Sequence, residues 1–215
     1  AANIELAEAL SDKTTPDAAS LPLEEVLTPD CKTIQQVAEF LSLPVEKTVK
    51  TMLIKGQTAE GENTIIALVL RGDHTINEIK VEKIEGAVAP FEFASEADIF
   101  TQIGCQPGSI GPIGLVEKGV RVIADRSAAV LSDFCAGANK DDYHVTGANW
   151  ERDFGSVEIA DLRNVVSGDP SPDGEGRIEI KRGIEVGHIF QLGQQYAEAL
   201  KASVLDENGK AKTLW

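Results

Sequence analysis

This chain is short of positive charge. Only 20 Lys and Arg stand against 35 Asp and Glu, a formal net charge of −15 at neutral pH. Such a balance repels a phosphate backbone at long range and disfavours binding along a nucleic-acid duplex; contact with just one end stays open, because a few local lysines can serve one or two phosphates. Aromatic residues make up 5% of the chain, which argues against strong autonomous nucleic-acid binding. Cysteine is scarce as well. Cys31, Cys105 and Cys135 are odd in number, widely spaced and outside any Cys-x-x-Cys pattern, against both a disulfide framework and a zinc cluster. The histidines lie far apart with no ligand spacing, so no metal is expected. No apolar run approaches membrane-spanning length, and Ala1-Ala2-Asn3-Ile4-Glu5 lacks the basic and apolar regions of a signal peptide. A soluble cytoplasmic protein is the expectation. Rossmann, Walker, HExxH and GxSxG patterns are missing, which removes the common nucleotide, zinc-protease and serine-hydrolase readings.

What is present suffices for a core: 215 residues with 42% apolar content predict one large domain, or a domain with an appendage. Residues 1–30 open with a short helix-like run, Ile4 to Leu10, and turn Ser/Thr/Pro/Asp-rich, which reads as lead-in and linker. Thr33 and Gln36 have capping-box spacing, and Ile34, Val37, Ala38 and Leu41 follow helical periodicity until Leu43-Pro44. Thr48 to Ile54 alternates as a strand, and the continuous apolar run Thr64 to Leu70 suits a central one. A helix from Asn77 to Ile84, a strand from Ala87 to Phe93, a helix from Ser95 to Ile103 and strands at Val120 to Ala124 and Tyr143 to Thr146 follow. Longer strands are expected from Val157 to Val166. Ile178, Ile180, Ile184, Val186 and Phe190 then hold a period of two, with Arg182 and His188 on the same face. Gln194 to Ala202 closes the chain as an amphipathic helix. The fold class is α/β (α+β), with a mixed central sheet and flanking helices.

A few residues carry chemistry, each with a plainer alternative. Gly108-Ser109-Ile110-Gly111-Pro112 can turn tightly and aim several backbone N–H groups one way, as an oxyanion site needs; it can equally be an ordinary turn. Lys50 shares a strand face with Met52 and Ile54, either as a cation held in a cleft or as a lysine that snorkels to water. Asp125 stands where a strand ends, the place where ligands gather in open α/β sheets, and also where a helix N-cap belongs. His144 lies in a strand, where a lone histidine is commonly structural. The small residues from Asp133 to Asn139, Gly137 among them, imply close approach of backbones or of a ligand. Cys135 has no nearby histidine in the sequence to activate it as a nucleophile.

Taken together, these segments resemble the editing domain inserted in bacterial-type prolyl-tRNA synthetase, between its second and third signature motifs. The most specific matches are Lys47-Thr48-Val49-Lys50-Thr51, Leu70-Arg71-Gly72-Asp73-His74, Gly108 to Pro112, Ser132-Asp133-Phe134, Ala136-Gly137-Ala138-Asn139, Arg163 to Val166, Gly168 to Gly174 and Lys181 to Gly193. The middle of the chain is also similar to free-standing YbaK-type aminoacyl-tRNA deacylases. The resemblance implies hydrolysis of alanine mischarged onto proline tRNA. Lys50 would be the essential lysine, Gly108 to Pro112 the GxxxP loop, and Asp125 and His144 the residues tied to activity and alanine selectivity, with Gly137 and Asn139 lining the substrate. It further implies a lead-in over residues 1–30, the deacylase domain over 31–167 and a return segment toward the synthetase catalytic domain over 168–215. The motif arginines that bind ATP are absent, as in an excised fragment; ATP and Mg would serve only the full-length synthetase, and editing would need no cofactor. The implied partners are the aminoacylated 3′ end of tRNA and the rest of the synthetase chain, a homodimer at full length, with no membrane. Two rivals remain: a deacylase for another small amino acid such as cysteine or serine, and a non-catalytic insertion that braces the synthetase or positions the tRNA acceptor end.

Overall fold

The computed structural model describes residues 2–155, 157–184, 187, 189 and 193–214. The chain divides into two units, 1–180 and 181–215. In the first unit the strands are β1 (Glu24–Leu27), β2 (Val49–Gln57), β3 (Asn63–Arg71), β4 (Arg121–Asp125), β5 (Phe134–Gly137), β6 (Tyr143–Ala148) and β7 (Glu158–Ala160). The helices are α1 (Ile34–Phe40), α2 (Glu78–Val81), α3 (Glu96–Ile103) and α4 (Arg126–Ala129). The sheet order β2-β3-β4-β7 begins antiparallel and continues parallel, and a second sheet runs β1-β6-β5 with antiparallel neighbours. A parallel bridge between Thr48 and Cys135 sets the start of β2 beside β5 and joins the two. This is the expected mixed α/β architecture.

Apolar alternation decides the packing. Val49 and Leu53 of β2, with Ile65, Ala67 and Val69 of β3, face a core that also takes Phe134, Ala136, Val145, Trp150, Phe154, Ile99 and Ile103. The opposite face carries Ile54, Ile66, Leu68 and Leu70 against Val81 and Leu162. β3 is thus apolar on both faces because it is covered on both. α1 begins where the spacing predicts: Thr33 Oγ1 accepts the Gln36 N–H at 3.3 Å, and Gln36 Oε1 accepts the Thr33 N–H at 3.0 Å. Its buried Val37 packs with Cys31 and Cys135.

Three expectations are corrected. Ala87 to Phe93 is not a strand; single bridges at Ala87 and Phe93 meet Gly56 and Ile54 of β2, with Pro90 between them. Proline has no N–H to give a ladder, so pairing is interrupted there. Residues 178–184 form no strand either. Gly168 N–H and Ile178 N–H pair with Ile178 and Asp169 carbonyls in a short return, after which Ile184 stands 93% exposed, with no strand among the described residues to cover it. Val186, His188 and Phe190 of that expected strand lie outside the described residues. Glu24–Leu27, within the stretch read as linker, is β1 and pairs with β6. Its mostly exposed side chains gave no alternation to read.

The second unit holds α5 (Gln195–Ala199) and a hairpin of β8 (Ser203–Leu205) with β9 (Ala211–Thr213). Asp206 Oδ1 accepts the N–H groups of Asn208 and Lys210 and closes its turn.

Candidate active site

The Gly108–Pro112 loop is held on the β5–β6 hairpin. Gly137 ends β5 opposite His144 of β6, and the loop lies directly on it: a Cβ added at Gly137 would come within 2.4 Å of the Ser109 and Ile110 backbone. One added at Gly111 would meet the Gly137 carbonyl oxygen at 1.8 Å. Only glycine permits this approach. Asn139, in the left-handed conformation after β5, does the fastening. Its N–H donates to the Ser109 carbonyl at 2.8 Å, its Oδ1 accepts the Gly111 N–H at 2.9 Å, and its Nδ2 donates to the Ile113 carbonyl at 2.6 Å. The Gly111 N–H is therefore committed to the scaffold. Among the described residues, no hydrogen bond takes the N–H of Ser109 or Ile110.

Lys50 stands beside this platform. From the Thr48–Cys135 bridge, two residues further along each chain lead to Lys50 and Gly137, on the face that Lys50 shares with Met52 and Ile54. Its half-buried stem ends with Nζ 3.1 Å from the Gly72 carbonyl. Burial pushes the ammonium below the ordinary lysine range, and the charge of Asp73 opposes that shift.

His144 is buried with Nδ1 2.7 Å from Thr28 Oγ1, and it also hydrogen-bonds the Gly108 backbone. Burial lowers its pKa, and the Gly108 contact works against that. The histidine thus touches the loop through Gly108, whose φ of +117° suits glycine. Thr28 is fully buried and was not anticipated; it fell in the stretch read as linker, and no local pattern marks it. Lys32 is a second addition, its stem running along Gly108.

Asp125 is placed differently from Lys50 and the loop. It is fully buried, caps α4 through the Ser127 N–H at 2.9 Å, accepts the Leu162 N–H at 3.1 Å and faces Arg163 Nε at 3.4 Å. Burial raises its pKa, while the two N–H groups and Arg163 pull it down. Both oxygens meet protein groups, as the N-cap alternative has it. Burial pushes the Cys135 thiol up to about 12, the opposite of what a nucleophile requires. Among the described residues, no three or more His, Cys, Asp and Glu are grouped to hold a metal ion.

Among the described residues, the arrangement offers two N–H groups without a protein acceptor on a loop seated by Gly137 and Asn139, a cation on the neighbouring strand and no activated nucleophile. It can polarise a carbonyl and stabilise an oxyanion while water attacks.

Solved structures share the fold. A protein described as a candidate trans-editing enzyme for prolyl tRNA synthetase superposes with a TM-score of 0.55 at 17% identity, over 66% of this chain and 87% of its own. A scaffold protein for the presentation of grafted linear epitopes does so with a TM-score of 0.55 at 18% identity, over 66% and 87%. The model of the aminoacyl-tRNA editing domain matches residues 28–154, the stretch that contains Thr28, Lys50, the Gly108–Pro112 loop, Asp125 and His144. With more than half of its length inside that match, the chain belongs to the aminoacyl-tRNA editing domain family.

Proposed function

We propose that this chain hydrolyses the ester of alanine mischarged onto proline tRNA, as the inserted editing domain of a prolyl-tRNA synthetase. The observation that carries the chemistry is the Gly108–Pro112 loop fixed on Gly137 and Asn139 with Lys50 beside it. The choice of alanine and of the synthetase rests on the sequence resemblance. A synthetic pocket built for proline cannot exclude the smaller alanine, since a few missing methylenes give only about 1–3 kcal/mol of discrimination. A second, smaller sieve supplies the rest.

The ester carbonyl lies against the Ser109 and Ile110 N–H groups. Water adds to the carbonyl carbon, the C=O electron pair moves onto oxygen, and those donors hold the resulting oxyanion. The C–O bond to the ribose then breaks, the ribose oxygen takes a proton, and free alanine leaves. Lys50 holds its positive charge beside the carbonyl and fixes the orientation of the aminoacylated end. Gly137 and Asn139 act by seating the loop, His144 by holding Gly108, and Asp125 by bracing the end of β4. Editing takes no cofactor, and the partners are the tRNA 3′ end and the rest of the synthetase.

The test is release of alanine from alanyl-tRNA for proline by this chain and its Lys50→Ala form, with prolyl-tRNA as control and cysteinyl and seryl esters as rivals. Lysine-dependent release of alanine, reduced about 100-fold in the variant, is expected, a loss typical of one preorganised electrostatic contact. Equal release by both forms removes Lys50 from the site. Faster release of cysteine or serine moves the specificity.

A further inference from the structure

We propose that Lys32 is the phosphate contact of this site, its ammonium taking the 5′-phosphate of the terminal nucleotide while the aminoacyl ester lies on the loop. The assignment rests on the editing reading above and gives the site the polyanion contact that reading lacks.

Position comes first. Lys32 precedes α1, and its Cα, Cβ and Cγ pass 3.5–3.6 Å from where a side chain on Gly108 would begin. Its backbone N–H donates to Gln36 Oε1 at 3.0 Å, so the stem is anchored while the side chain remains exposed. Its exposed side chain therefore starts at the rim of the loop that carries the N–H groups of Ser109 and Ile110.

Availability comes second. Among the described residues of the first unit, nearly every lysine ammonium is already engaged: Lys13 with Asp17, Lys47 with the Ser132 carbonyl, Lys55 with Glu92, Lys80 with Asp161, Lys118 with the Ile103 carbonyl and Lys140 with Glu25. Lys50 is half-buried with its Nζ bound to the Gly72 carbonyl. Lys32 and Lys83 alone have no such partner. Lys83 lines a different cleft that excludes the loop, where Lys80 is already paired with Asp161 and Arg121 with Glu158 and the remaining carboxylate is Glu85. In a chain of net charge −15 the long-range field works against a nucleotide, so a local free cation at the loop is what can receive its phosphate.

Depth then orders the two lysines. Lys50 meets the ester and Lys32 meets the phosphate, so the terminal nucleoside spans from one to the other.

The test uses a stable amide, 3′-deoxy-3′-(L-alanylamino)adenosine, with and without a 5′-phosphate, titrated into the wild-type chain and into Lys32→Ala, Lys32→Arg and Lys50→Ala. Wild type should prefer the phosphorylated form about three- to fivefold, the scale of one exposed ion pair. That ratio should fall to about one in Lys32→Ala, persist in Lys32→Arg, and survive in Lys50→Ala even though both analogues bind more weakly. Inorganic phosphate alone should compete only at far higher concentration. A ratio unchanged by Lys32→Ala, or abolished by Lys50→Ala instead, overturns the assignment and leaves the editing reading standing. If neither analogue binds the wild type, the editing reading falls and Lys32 with it.

Discussion

His74 is almost wholly buried at the end of the Arg71-Gly72-Asp73-His74 turn, its Nε2 2.9 Å from Arg71 Nη2 and its Nδ1 without a partner among the described residues. Since the guanidinium can only donate, Nε2 accepts and the neutral ring carries its proton on Nδ1. Burial is the largest reason its pKa falls to about 4, and the charges of Arg163 and Arg71 add to it, opposed by Asp73 and Asp169. The sign follows from proton binding. Between about pH 4 and 6.5 the unfolded chain takes up a proton that the folded one refuses, so stability rises with pH across that window. The contribution is complete above about pH 6.5 and lost as pH falls through 4, with a span on the order of 3 kcal/mol. Asp125, whose pKa is raised, works the other way at the acid end, its protonated form favouring the folded state. Urea unfolding of the wild type from pH 4 to 7 should show the rise, and His74→Gln should flatten it. An equally steep rise in the variant would assign the dependence to other groups. Lys50 and His74 also mark what single residues reveal in sequence. Lys50 on an apolar strand face drew attention, whereas the lowered pKa of His74 comes first from burial and then from the charges of Arg163 and Arg71, and neither the burial nor the distant Arg163 can be read locally.

The loop and its hairpin form one element, and its fit can be tested without touching a charge. A Cβ at Gly137 would press on Ser109 and Ile110 backbone, which cannot step aside like a flexible side-chain tip. Gly137→Ala should destabilise the chain by about 1–3 kcal/mol and reduce deacylation in the folded fraction, because the loop must lift from its seat. Gly183→Ala, with nothing within 4 Å of the new methyl, should move stability by less than about 0.5 kcal/mol and serves as control. A Gly137→Ala chain with wild-type stability and activity would contradict the seating described here. The loop itself was legible from its Gly and Pro spacing, as were α1 from its capping box and β2 and β3 from their apolar patterns. What seats the loop was not. Gly137 and Asn139 lie about 25 or more residues further on, and only the folded hairpin brings them beneath it. Period alone also misled at residues 178–184, because alternation marks a strand only where another strand is there to pair with it.

At the scale of the molecule, the first unit is closed by a segment that its composition disguised. Residues 4–10 read as a short helix-like run opening a linker, yet they form turns and no helix, and the backbone of residues 5–10 is gripped by side chains from distant parts of the unit, residues 77–163. Asn77 Nδ2 donates to the Glu5 carbonyl, Lys80 Nζ to that of Ala7 and Arg163 Nη2 to that of Leu10, at 2.7–3.0 Å. The Ala9 N–H donates to Asp161 Oδ2, and Ala9 itself is 1% exposed. Backbone carbonyls are invisible to any reading of side-chain pattern, which is why the stretch passed for linker. Arg163 shows the stakes. It is 1% exposed and also holds Asp169 through two bonds and Ser127 through a third, so the lead-in carbonyl completes the donors of a buried cation. Leaving such a group short of a partner costs about 1–3 kcal/mol. A chain lacking residues 1–12 should therefore unfold at lower urea than the full one, by about 2–4 kcal/mol once the lost bonds to Asn77, Lys80 and Asp161 are included. Lys50, Thr28, Lys32 and the Gly108–Pro112 loop make none of these contacts, so at low temperature, where both chains are folded, alanine release per folded molecule should fall far less than stability does. If stability is unchanged, water replaces the lead-in at no loss and residues 1–12 are a linker after all; if activity falls in proportion to stability, the end of β4 braced by Asp125 and Arg163 reaches further into the site than its contacts indicate.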